Sequence, residues 1–208
     1  MPPTPRGRPA GAELSLRRER FLDDCEALLL AEGPAGLTVA AITRAAGASR
    51  TTLYAWFGGR EGVLAALVER NADRTAALVT DALARGSGVP ETLRGFARGL
   101  LAMLTGPLSV ALNRAAMAEA DGALAATVLA GGRHRVGPLV EAYLADQDAA
   151  GALSVPDPAG AFRALYGLVV ADTQVRVLLG EPAPGPDELA ALADAGVARF
   201  LTLASPRG

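Results

Sequence analysis

The 208-residue chain has no lysine: all twenty of its basic residues are arginine. It has one cysteine, one histidine and one tryptophan, and aromatic residues make up only 4 % of it. One cysteine permits no internal disulfide. With a single histidine besides, the chain offers no zinc ligand set and no Cys–His or Ser–His–Asp cluster of recognisable spacing. It also lacks a lysine nucleophile and a glycine-rich phosphate loop. An enzyme is therefore not expected, nor a metal or other cofactor. No apolar run approaches the roughly 20 residues of a membrane span. The N-terminus is polar, proline-rich and basic, without the apolar region of a signal peptide. No membrane partner is expected, and the expected location is the cytoplasm. The scarcity of aromatics argues against a multi-aromatic cage for planar cations.

Apolar residues make up 50 % of the chain. Alanine is abundant, which favours helix over strand, and the expected fold class is all-α. The net charge of −2 argues against a nucleic-acid binder, but its distribution partly reverses that. Residues 1–20 carry +3, residues 1–70 carry +1 and the remainder −3. Positive charge thus gathers at the N-terminal end. Arginine without lysine, together with excess Ala, Gly and Pro, points to a high-GC bacterial genome.

The stretch from Leu37 to Val68 organises the chain. Thr38 is placed to cap a helix by accepting a backbone N–H one turn in, and Leu37 can pack on Ile42 as a hydrophobic staple. Gly47 can take the left-handed conformation that ends this helix. Ser49 can cap the next one, Arg50 to Trp56. Two short helices joined by a tight turn make a helix-turn-helix. Val39, Ile42, Ala46, Leu53 and Phe57 fall at inward spacings. Arg50, Thr51, Thr52 and Ala55 are left outside, where Arg and Thr can reach guanine edges, thymine methyls or phosphates. The helix start adds free N–H groups and a positive dipole end, which suit a phosphate.

This stretch resembles the N-terminal DNA-binding domain of the TetR family of bacterial transcriptional regulators. The matching features are Leu37-Thr38-Val39, Ala45-Ala46-Gly47-Ala48-Ser49, Thr52-Leu53-Tyr54, Phe57, and Arg60-Glu61 with Val63-Leu64, in order from Phe21 to Val68. The resemblance implies phosphate contacts at Thr38, Tyr54 and Arg60 and base reading at Arg50, Thr51 and Thr52. Where the family often has His, this chain has Trp56, which can donate one indole N–H to a phosphate. With Ser49, these residues form the expected DNA-binding set. Gly59 and Arg60 also depart from the family's usual Ser or Asn and Lys.

Along the chain, residues 1–13 are expected to be a disordered basic arm, with Arg6-Gly7-Arg8-Pro9 resembling a minor-groove hook. Residues 14–70 form the expected DNA-binding domain and residues 71–208 a C-terminal ligand-binding and dimerisation domain. Helix one, about Leu16 to Glu32, carries the stripe Phe21, Leu22, Cys25, Leu28 and Leu29 and ends at Gly33-Pro34. Cys25 reads as a small core residue. Arg17, Arg18 and Arg20 stay open between phosphate contact and solvated face. A helix from about Arg60 to Ala84 belongs to both domains and is the natural lever between them. Gly86 to Pro90 breaks it. Helices at about 91–104, 108–119, 133–150, 158–179 and 187–203 follow, with a short one after Asp121. Asp157 caps the fourth of the five, with Pro158 in its first turn. His134, between two arginines, reads as solvated surface. The helices at 158–179 and 187–203 are apolar over more than one face. The resemblance places a homodimer interface there, and a dimer suits a palindromic operator in double-stranded DNA.

The resemblance further implies a small-molecule effector bound inside the C-terminal helical bundle. Polar residues that interrupt apolar helices are the candidates, namely Asn113, Arg114, Asp172, Thr173 and Gln174. Phe96, Met103, Met117, Tyr143 and Tyr166 are the candidate walls. The expected protein is a transcriptional regulator, by family default a repressor released by its effector. The alternative is a helical DNA-binding or interaction module with no effector.

Overall fold

The computed structural model describes residues 10–85 and 88–206. Its described residues form eleven helices and no strand. These are α1 (Ala10–Gly36), α2 (Val39–Ala45), α3 (Arg50–Phe57), α4 (Arg60–Arg85), α5 (Val89–Thr105), α6 (Pro107–Ala118), α7 (Ala123–Gly131), α8 (Arg133–Ala149), α9 (Pro158–Val170), α10 (Thr173–Leu178) and α11 (Pro186–Leu203). The chain divides into two compact units between Leu67 and Val68. α4 gives its first two turns to one and the rest to the other. No single described helix is long and apolar enough to cross a membrane.

In the first unit, the stripe on α1 buries Phe21, Leu22, Cys25 and Leu29. α1 reaches beyond both expected ends, starting at Ala10, and it is broken internally at Gly33, whose φ of 70° leaves the helical region. The expected arm lies in residues 1–9 outside the described residues, while Ala10 to Glu13 are helical. Leu37, Ala41, Ile42, Leu53, Phe57, Val63, Leu64 and Leu67 complete the core. Val39 and Ala46, expected inside, are only half-buried, and Ala41 takes the inward position instead.

The second unit is a bundle in which α5 and α9 both pack on α11, and α8 packs on α9. Leu93, Phe96, Leu101, Val140, Leu144, Phe162, Leu165, Val197 and Phe200 fill its centre. α9 and α11 approach at backbone distance: a Cβ on Gly196 would lie 2.7 Å from the Leu168 carbonyl oxygen. On the surface, Arg98 grips Asp194 with two hydrogen bonds of 2.8 and 2.6 Å, tying α5 to α11. The Asp194 carboxyl is held below its ordinary range by the hydrogen bond from Arg98.

The expected single helix at 158–179 is two helices. Ala171 takes φ 45° and ψ −123°, a conformation that glycine adopts freely and alanine does not, and it separates α9 from α10. Helical periodicity continues across the break, so the sequence pattern alone hides it. As expected, Asp157 caps α9, its carboxylate accepting from the Gly160 N–H at 2.9 Å.

Candidate functional site

The α2–α3 pair is built from its caps outward. The Thr38 hydroxyl accepts from the Ala41 N–H at 3.2 Å, which starts α2. Gly47 follows the end of α2 with φ 55°. The Ser49 hydroxyl accepts from the Thr52 N–H at 3.0 Å and lies 2.9 Å from the Thr52 hydroxyl, which starts α3. Leu53 and Phe57 pin one side of α3 into the core. Arg50, Thr51, Tyr54 and Ala55 remain exposed on the other side. An exposed helix face of Arg, Thr and Tyr, with its first turn towards solvent, is a surface that a major groove can admit.

Five of the expected DNA-binding residues make contacts within the unit, and Thr52, expected outside, is one of them: it is half-buried with its hydroxyl on Ser49. The hydroxyls of Thr38 and Ser49 serve as caps, as above. Trp56 is half-buried, its ring edge-on to Phe21 and Phe57 at 5.9 and 6.4 Å. Arg60 turns inward: Nε donates to the Leu37 carbonyl at 2.9 Å and Nη2 to the Pro34 carbonyl at 3.1 Å. This guanidinium clamps the turn between α1 and α2, a structural role that the sequence did not show. The carbonyls stranded after the Gly33 break need donors, and Arg60 supplies them.

The structure also brings forward residues outside the expected set. Arg17 and Arg20 line the same cleft as Gly47, Ser49, Thr52 and Trp56, beside the start of α3. One helical turn separates them along α1, which the sequence shows, but their approach to α3 depends on the tertiary packing. Arg18 does something else, lying over the Phe57 ring at 4.8 Å.

The second unit holds a cavity of about 210 Å³. Its wall includes Val68, Asn71, Ala72 and Thr75 of α4, Met103 and Leu104 of α5, Ser109, Leu112 and Asn113 of α6, and Val128, Arg133, Tyr166 and Gln174. Of the expected ligand-binding residues, Met103, Asn113, Tyr166 and Gln174 meet here. Phe96, Arg114, Met117, Tyr143, Asp172 and Thr173 lie outside this wall. Phe96 belongs to the close-packed core and borders only a smaller void. Arg114 donates to the Leu178 and Val177 carbonyls at 3.1 and 3.0 Å, closing the end of α10. Met117 points to solvent, 70 % exposed. Tyr143 packs on the bundle core, and Asp172 lies exposed at the α9–α10 break. Asn71 was the legible omission, a polar residue within the apolar stripe of Leu64, Leu67, Val68 and Ala72. Among the described residues no group of His, Cys, Asp and Glu is arranged to hold a metal ion.

A chain whose described residues form only helices, with a capped, outward-facing helix-turn-helix among them, belongs to the helix-turn-helix class of DNA-binding proteins. Residues 21–67 match the bacterial regulatory proteins of the tetR family, and residues 91–203 match the C-terminal domain of AefR-like transcriptional repressors. The chain belongs to the TetR family, whose members are transcriptional regulators and not enzymes. A TetR transcriptional regulator from Agrobacterium tumefaciens is 33 % identical with a TM-score of 0.73, over 92 % of this chain and 95 % of that one. A Mesorhizobium loti protein assigned to the same family is 22 % identical with a TM-score of 0.83, over 92 % and 98 %. FadR from Bacillus subtilis, in complex with stearoyl-CoA, is 14 % identical with a TM-score of 0.71, over 89 % and 98 %. None of the curated proteins compared matches the chain.

Proposed function

We propose that this TetR-family regulator is a homodimeric repressor that reads a palindromic operator through α3 and releases it when a small molecule occupies the cavity of the second unit. The observation that carries the DNA-reading part is the outward face of α3, with Arg50, Thr51 and Tyr54 exposed above a buried Leu53 and Phe57. Arg50 and Thr51 lie in the first turn, where a recognition helix contacts bases. Phosphate contacts fall to the N-terminal ends of α2 and α3 and to Tyr54, Arg17 and Arg20. The residues of the clamp and the caps, Arg60, Thr38 and Ser49, position that surface.

Dimerisation is supported by the outer faces of α9 to α11. Ala164, Gly167, Ala191 and Ala195 are exposed there, together with larger apolar side chains at Val175, Leu179 and Leu203. Exposed Arg163, Arg176 and Arg199 flank these positions, so a second copy would cover apolar surface within a charged rim. A cavity within the bundle favours an effector-responsive regulator over one without an effector. The bound FadR relative shows that its own fold takes a ligand. α4 carries four cavity-wall residues and, in its first turn, packs on α3. It is the element through which occupancy is felt at the DNA. Only a ligand with different affinity for the two arrangements can shift them.

The test is selection of duplexes from a random-sequence pool by the purified protein, followed by sedimentation of the protein with and without the selected DNA. The expected result is an inverted repeat with half-sites about 34–36 Å apart or a multiple of that, bound by a dimer. Binding should weaken steeply with salt. Enrichment of no sequence over the starting pool, or binding as a monomer, would overturn the reading.

A further inference from the structure

We infer that the cavity takes a small organic monoanion: a carboxylate on a single ring, or on a branched hydrocarbon of similar bulk, with its charge at Arg133. This rests on reading the cavity as the effector site and adds the class of ligand. Size is the first constraint. An apolar cavity of about 150 Å³ holds one benzene, so about 210 Å³ holds one ring with a short substituent. A stearoyl chain does not fit the space as it stands. The apolar part of the wall, chiefly Val68, Met103, Leu104, Leu112 and Val128, suits hydrocarbon.

Charge is the second constraint. Arg133 is the one charged residue among the described residues of the wall. Its guanidinium lies over the rings of Tyr166 and Phe162, at 5.4 and 5.7 Å from their centroids. Those faces fix it in place and leave its N–H groups uncommitted. Among the described residues no carboxylate lies within 4 Å of it. The neighbouring Arg135, by contrast, is paired with Asp73 at 2.6 Å. Arg133 is an exposed residue at the edge of the cavity; a ring entering beside it strips part of its water, and a cation that loses water without a counter-charge does so at a cost. A ligand that brings its own carboxylate removes that cost; a neutral or cationic one does not.

The remaining polar groups fit the same ligand. The Tyr166 hydroxyl is weakly held, 3.5 Å from Gln174 Oε1. Burial pushes its phenol up, with Arg133 pulling partly the other way, so at neutral pH it is an O–H donor. The Asn71 side chain has no hydrogen-bond partner among the described residues and adds two N–H donors. The wall thus offers several donors and no acidic group.

The test is calorimetric titration of the full-length protein with 4-ethylbenzoate and with its neutral isostere 4-ethylbenzamide. The expected result is one site per chain, with benzoate bound about tenfold tighter than the amide or better, as a charge-assisted hydrogen bond provides. In R133Q the two should bind alike, and R133K should recover part of the difference, with far-UV circular dichroism unchanged in both. Equal binding by the unaltered protein, an undiminished preference in R133Q, or no binding of benzoate up to about 5 mM would each overturn the inference. Release of the selected operator DNA is read in parallel. Selective benzoate binding that leaves operator affinity unchanged defeats the effector reading and keeps the anion site. Release by the amide at the same concentration as by benzoate defeats the anion inference and keeps the effector reading.

Discussion

Gly62→Ala is expected to unfold the DNA-binding unit and abolish DNA binding. A Cβ built at residue 62 lies 1.6 Å from the Phe57 carbonyl oxygen and 2.7 Å from its carbonyl carbon. The obstacle is backbone, which cannot rotate away as a side chain can. Phe57 is the last residue of α3, and Gly62 stands in the first turn of α4. Their contact sets how α3 leaves for α4, so even one methyl must drive the two apart. Leu53 and Phe57 would leave the core with α3, placing the cost at about 4 kcal/mol or more, the range of severe core disruption. Trp56 is the only tryptophan of the chain and stands in this unit. Its fluorescence therefore reports the unit directly. The variant should show a solvent-exposed emission where the unaltered protein shows a partly buried one, and it should bind operator no better than random DNA. A native emission spectrum with native affinity would show that the α3–α4 turn relaxes at little cost.

Phe200→Ala is expected to be the most damaging truncation in the second unit. Phe200 is one of the two largest fully buried side chains among the described residues. It sits on α11, the helix on which both α5 and α9 pack. Removing its ring leaves a cavity between close-packed helices. The approach of α9 to α11 is already at backbone distance around Gly196, so the bundle has little freedom to collapse into the gap. The cost is about 3–5 kcal/mol. Urea unfolding followed by far-UV circular dichroism should show a lower midpoint with an unchanged slope. A loss under about 1 kcal/mol would mean that the site closes by repacking, in the range of well-tolerated core changes. Protein concentration must be held constant in the comparison, since a dimer's apparent stability depends on it.

The DNA-binding unit was legible because its signals are local. Thr38 and Ser49 cap helices that begin one residue later, Gly47 adopts the positive φ that its place demanded, and Leu53 and Phe57 follow helical spacing. Each depends on neighbours within four residues. The cavity was much less legible, because a polar residue in an apolar helix has two destinations that spacing does not separate. Asn113 faces a void, whereas Arg114, the next residue, reaches carbonyls more than sixty positions away and closes a helix end. The clamp made by Arg60 was hidden for the same reason. Its partners, Pro34 and Leu37, are exposed as acceptors only because Gly33 breaks α1. Ala171 hid its break by being alanine where the backbone conformation favours glycine. Arg133 carried no reading from the sequence; its place beside the cavity depends on the packing of Phe162 and Tyr166 beneath it, from a helix 25 residues further on.

The central claim is that α3 reads DNA sequence through Arg50. It is tested most directly by running the duplex selection with the unaltered protein and with R50A in parallel, then measuring both on the selected duplex. The account predicts that R50A folds normally, with native Trp56 emission, since Arg50 is exposed. It should bind the selected duplex about 5- to 150-fold more weakly, the cost of one lost base contact. When selected afresh, it should lose preference at one position in each half-site and keep the rest of the repeat. An identical selected sequence bound with undiminished affinity would contradict the account, because the base-reading surface would then lie elsewhere than on α3.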